Sequence, residues 1–177
     1  MKKIILLLVF LAGASFAEKN DALGLWLQGG NSGEYWGVDY KHLGSTAATD
    51  IYVHLSASND KFSLGGYFGY YFVYNIIKAD ASMGRFPLYW GPVGGVGYWD
   101  NGDKIGDDNG VAVRGGVTLG ISWIFPTSFP MDVSLELNPV AECHFKSWKD
   151  NSAEKHSDTT WEIPSLYFRI MFHAYLF

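Results

Sequence analysis

The chain has 177 residues, 18 acidic and 13 basic side chains, and a formal net charge of −5. An acidic balance argues against nucleic acid as a partner, because phosphate binding needs a basic footprint. Cys143 is the only cysteine, which leaves no disulfide framework and no Cys-based metal site.

The N-terminus reads as an export signal. Lys2 and Lys3 precede an apolar run over 4–11, and Ser15-Phe16-Ala17 is a small-x-small cleavage site. The run is too short to span a membrane as a helix. Residues 1–17 are therefore expected to be removed, leaving 18–177 as one domain. Without Lys2 and Lys3, 13 basic side chains become 11 against 18 acidic ones, a net charge of −7. No later segment approaches the roughly 18 apolar residues of a membrane helix. Aromatics nevertheless make up 17% of the chain, and there are 21 glycines.

Alternation dominates the rest. A membrane strand needs about 9–11 residues, apolar toward lipid and small or polar toward the lumen. Three short strands are expected first, over 22–29 with Leu23, Leu25 and Leu27 outward, 34–42 with Trp36, Val38 and Tyr40 outward, and 48–57 with Ile51, Val53 and Leu55 outward. Residues 62–74 place Phe62, Leu64, Phe68, Tyr70, Phe72 and Tyr74 on one face. In 86–99, Leu88, Trp90, Val96 and Tyr98 oppose Gly91, Gly95 and Gly97, whose missing side chains make room in a narrow barrel. In 111–125, Val111, Val113, Val117, Leu119, Ile121 and Trp123 oppose Arg114, Gly116, Thr118, Gly120 and Ser122. Residues 131–145 repeat this, with Val133, Leu135, Leu137 and Cys143 against Asp132, Ser134, Glu136, Asn138 and Glu142. An eighth strand runs from about 160 to the C-terminus. Pro92 and Pro139 fall inside strands, where proline cannot donate to the ladder, so bulges or strand ends are expected beside them.

The connections are asymmetric. Those at 30–33, 57–61, 100–110 and 146–159 lie on one side, and the last two are long and charged. Those at 43–47, 75–85 and 126–130 lie on the other; 75–85 is long for a short turn and has room for one helical turn. A soluble sandwich would carry polar side chains on its outer face. Here the outer face is apolar and the minority face is charged, so the expected fold is an all-β, eight-stranded antiparallel up-and-down barrel in the bacterial outer membrane. Trp36, Trp90, Tyr98, Trp99, Trp123, Phe125 and Trp161 are candidates for two interfacial aromatic girdles.

The segments GRFPLYWGPVGGVGY, VAVRGGVTLGISWIF and PMDVSLELNPVAE, with a last strand ending in Phe177, resemble a family of small bacterial outer-membrane β-barrels without a settled function, of OmpA-type architecture. The resemblance covers 84–142 well and the first half loosely. It implies fold and location, with Arg114 and Glu136 as the recurring arginine and acid, and no catalytic residue. A terminal Phe is also what the barrel-assembly machinery of such proteins reads, with apolar residues at alternate positions before it. Tyr175 and Met171 comply, whereas His173 and Arg169 do not. The opposite parity, Leu166, Phe168, Ile170, Phe172, Ala174 and Leu176, is the more apolar.

Arg114, Glu136, Glu142, Arg169 and His173 are expected to converge in the lumen as paired charges, centred on Arg114 and Glu136, because buried charge must be paired. Asp39, Lys41, Gln28, His54, Tyr67 and Tyr71 extend that polar set. His54 and Ser56 stand two apart on one strand face, as in a lipid deacylase, but parity turns them inward and no orienting acid is identifiable. His144, His156, Glu142 and Asp158 match no metal-ligand spacing, and the acidic stretch Asp103, Asp107 and Asp108 lacks the pattern of a calcium loop. The expectation is a non-enzymatic protein without cofactor or metal. It sits in outer-membrane lipid and meets an extracellular ligand through 100–110 and 146–159. A narrow pore and a lipid-modifying enzyme are the alternatives.

Overall fold

A computed structural model describes residues 20–30, 35–44, 46–58, 61–77, 84–101, 108–125, 131–150, 152 and 154–175. The expected signal segment 1–17, Asp103, Asp107 and Phe177 lie outside them. Eight strands follow in order: β1 Asp21–Gly30, β2 Tyr35–Leu43, β3 Ala47–Ser58, β4 Lys61–Ile77, β5 Phe86–Asp100, β6 Asp108–Ile124, β7 Met131–Lys149 and β8 Lys155–Tyr175. Each pairs antiparallel with its chain neighbour, and β1 pairs with β8, so the sheet closes into a barrel. The chain enters and leaves at one end, where Ala22 lies opposite Tyr175.

Strand alternation sets inside from outside, and the result is inverted relative to a water-soluble barrel. Neighbours on β8 show the contrast: Phe168 is 62% exposed and Arg169 3%. Leu25, Leu27, Phe68, Leu119, Leu135 and Phe172 also face outward, while Asp39, Lys41, Asp50, Asp132, Glu136, Glu142 and His173 are buried. The even parity of β8 is the outward one. Tyr175 and Met171 therefore point into the barrel beside His173 and Arg169.

Several expectations are corrected. The stretch 146–159 is mostly strand, with Lys146 opposite Asp158 and Lys149 opposite Lys155. The Trp148 ring stacks on His156 at 5.6 Å. Asp150 accepts from the backbone N–H groups of Ser152 and Glu154, both at 2.9 Å. The His156 ring, 3.1 Å away, helps to hold the Asp150 carboxyl below its usual range. These contacts turn an expected loop into a hairpin that stays paired with β6 as far as Trp148 opposite Asp108 and runs well past the end of β1, whose last pair with β8 is Gly30 opposite Tyr167. Likewise β4 continues to Ile77, and Arg85 bridges to Ile124, so the expected 75–85 connection is shorter; its central residues 78–83 are not described.

A register shift falls near Pro139, between Val140 and Glu142, but its extra residue is on β8, where Ile163 and Pro164 lie between Glu162 and Ser165; Pro139 itself keeps its place opposite Leu166. Pro92 does not shift the register; it keeps its place opposite Val117 within an unbroken β5–β6 ladder. Leu23 is buried, placed between Tyr40 and Ala174, and Cys143 is buried between Val113 and Trp161. Trp99 belongs to the inner face, against His144, and not to an outer girdle.

Glycines on the inner face receive aromatic rings from neighbouring strands. A Cβ at Gly95 would meet the Tyr67 ring, and one at Gly120 would stand 2.7 Å from Tyr89 Oη. Overpacking of this kind typically costs about 1–3 kcal/mol. Gly120→Val is expected to lower stability by roughly that amount. Equilibrium urea unfolding of the detergent-refolded chain measures it, and an unchanged midpoint would show that the ring has space to spare.

Candidate functional site

The interior is a stack of polar layers. At the end carrying the termini, Ala22, Ile124 and Tyr175 form an apolar floor, with Leu43 against it. At its rim His42 Nδ1 lies 2.6 Å from Asp21. Tyr175 donates to Asp132 Oδ2 at 2.7 Å, which links the floor to the next layer.

There His173 is held at both ring nitrogens. Nδ1 is 2.5 Å from Asp132 Oδ1, and Nε2 is 2.6 Å from Asp39 Oδ2. Lys41 Nζ donates to Ser134 Oγ at 3.3 Å and lies 3.9 Å from Asp132. Asp50 is fully buried in the same layer.

The middle layer is built on Arg169. Its guanidinium donates to Glu136 Oε2 at 3.2 Å and to Gln28 Oε1 at 2.7 and 3.2 Å. Tyr52 presents its ring face 4.0 Å from the guanidinium carbon. The other Glu136 oxygen accepts from Tyr89 at 3.0 Å and Tyr52 at 3.2 Å, and the Tyr52 and Tyr71 hydroxyls share a 2.5 Å hydrogen bond. Both charges are thus paired and hydrogen-bonded, the condition for keeping ions away from water.

Above it Arg114 pairs with Glu142 and donates to Tyr167 at 3.0 Å, while Tyr167 donates to Glu142 at 2.7 Å. The guanidinium lies between the rings of Tyr67 and Tyr167, at 4.8 and 4.3 Å. Past this layer the barrel opens into a cavity of about 490 Å³ at the end away from the termini. Its walls carry Tyr35, Tyr98, Trp99, His144, Lys146 and Glu162, with Arg114 and Glu142 beneath. Pockets of this size take small ligands, and aromatic walls with a few polar groups set their orientation.

The five expected lumen residues all face inward, but not as one cluster. Arg114 belongs to Glu142 and Arg169 to Glu136, so the expected Arg114–Glu136 centre is corrected to two separate pairs. Glu136 and Glu142 are six residues apart on β7, roughly 20 Å of strand before tilt. His173 stands in a third layer. Asp39, Lys41, Gln28, His54, Tyr67 and Tyr71 are inside as expected. His54 Nε2 pairs with Ser63 Oγ at 3.0 Å, and its ring stacks on Tyr67. His144 meets Glu142 at 3.2 Å and Glu162 at 4.0 Å, whereas His156 joins Asp150 on the hairpin, so the four residues weighed as metal ligands divide between two places.

Sequence reasoning did not single out Asp50, Tyr52, Tyr89 and Tyr167. For Asp50 and Tyr52 the signal was present, since the outward assignment of Ile51 and Val53 turns both inward. No family model, no curated protein and no solved structure matches the chain.

Removing one partner of a buried ion pair costs about 3–5 kcal/mol, while an apolar replacement of both is often neutral. Arg169→Met is expected to destabilise by that order, and Arg169→Met with Glu136→Leu to recover most of the loss. A double-mutant cycle in urea unfolding measures the coupling; additive effects would mean that the pair does not organise the layer.

Proposed function

We propose that the protein is an integral barrel of the bacterial outer membrane that anchors a ligand-binding mouth and a projecting hairpin at the cell surface. The inverted face distribution carries this reading. Among the described residues, twenty-eight large hydrophobic side chains are more than a third exposed, while the buried set holds seven carboxylate and cation partners of the three ion-pair layers. Exposed apolar surface on that scale needs lipid or a partner to cover it, and a closed sheet is the β-structure that hydrocarbon accepts. The aromatics support the same reading. Trp123 contacts both Phe86 and Phe125 near the end where β1 begins and β8 ends, and Phe62 packs on Tyr98 near the other. Two such bands are what interfacial girdles require. The export-type pattern of residues 1–17 and the resemblance in 84–142 fit the same placement.

The layers of paired charge favour an anchor over a pore, because each crosses the lumen. The mouth offers aromatic walls, two cations and three carboxylates to an external polar ligand, and the β7–β8 hairpin stands beside it.

Topology is testable by cysteine labelling in a Cys143→Ala background. On intact cells, Ser152→Cys is expected to react with a membrane-impermeant maleimide, and Thr46→Cys only after permeabilisation. Equal reactivity of the two sites, or recovery of the chain in the soluble fraction, would sink the membrane reading. In planar bilayers the purified barrel is expected to give no reproducible single-channel steps; regular steps would favour the narrow pore.

A further inference from the structure

The layer between the floor and Arg169 contains carboxylate oxygens that the protein leaves unanswered. Asp50 is fully buried, yet neither of its side-chain oxygens has a hydrogen-bond partner among the described residues. Asp39 Oδ1 is in the same state. Buried carboxylate oxygens are normally satisfied by a protein group, a water or an ion. Lys41, the nearest fixed cation, is turned toward Ser134 and Asp132 instead.

Donor atoms of Asp39, Asp50 and His173 lie within 4.8 Å of one another. From these contacts we propose that Asp39, Asp50 and His173 bind a divalent transition-metal ion of the zinc type inside the barrel. Ligand bonds of about 2.0–2.2 Å place tetrahedral donors roughly 3.3–3.5 Å apart, so the side chains need adjust by only about an ångström. Two carboxylates and an imidazole suit zinc or its first-row neighbours, while calcium and magnesium take oxygen alone.

One further feature fits an ion. His173 directs Nδ1 to Asp132, 2.5 Å away, and its Nε2 faces Asp39 Oδ2 at 2.6 Å, the contact that an ion held between the two would replace. A carboxylate behind a ligating histidine is the usual outer shell of such sites. Room for the cluster comes from β1, because a Cβ on Gly24 would stand 2.5 Å from both Asp39 Oδ1 and the His173 ring. The ligands come from β2, β3 and β8, so the ion would clasp the barrel across the β1–β8 seam where the sheet closes.

The test uses the full chain folded in detergent, stripped with a chelator and titrated with Co²⁺ as a visible-absorption probe. One Co²⁺ per chain is expected, displaced by Zn²⁺, together with a higher urea midpoint in its presence. Asp50→Asn and Asp39→Asn are each expected to weaken binding at least about tenfold while the gel mobility of the folded barrel is kept. A second donor set at the mouth, Glu142, His144 and the exposed Glu162, provides the control that does not depend on those variants folding. His144→Ala and Glu162→Gln are expected to bind Co²⁺ as the unmodified chain does. The proposal is overturned if the folded chain takes up no Co²⁺, if uptake survives Asp50→Asn, or if it is lost in His144→Ala.

Discussion

Arg169 and Glu136 meet at the centre of the lumen, and six of the eight strands send a side chain to the pair or to its partners. Gln28 comes from β1, Tyr52 from β3, Tyr71 from β4 and Tyr89 from β5, with Glu136 on β7 and Arg169 on β8. An eight-stranded barrel is only wide enough inside for side chains. Every polar atom placed there must find its partner across the lumen rather than in water. That requirement makes the interior a set of cross-braces, and it explains why aromatic hydroxyls, donors with a long rigid reach, recur in each layer.

The braces also divide the barrel by role. The closed floor and the two lower layers leave little freedom, because Tyr175, Asp132, His173 and Asp39 form one connected chain of hydrogen bonds. The upper layer, Arg114 with Glu142 and Tyr167, is the floor of the open cavity, so its groups both pack the interior and line the mouth. The β7–β8 hairpin runs on past the end of β1 with β6 alongside it, stiffened by the Trp148–His156 stack and the Asp150 turn.

Where the sequence was hardest to read, both parities were apolar. On β8, Tyr175 and Met171 resemble outward-facing residues, yet they line the lumen, and the inward set is recognised by Arg169 and His173 alone. Hydropathy does not separate an aromatic that fills a glycine-lined lumen from one on the outer face. Trp99 was misplaced for that reason. The hairpin beyond Phe145 was missed for another: its residues are hydrophilic like a loop, and only cross-strand pairing tells an exposed ladder from a coil.

Strand number, order and the inward face of most strands follow from period-two alternation in the chain itself, because a strand that slips by one residue exchanges its two faces. So does the presence of Arg114, Glu136, Glu142, Arg169 and His173 in the interior. Which of them become partners depends on strand tilt and stagger around a closed sheet, quantities that no local pattern encodes. Tertiary structure alone therefore gave Arg114 to Glu142 and Arg169 to Glu136, and it alone gathered Asp39, Asp50 and His173 from three strands into one buried layer.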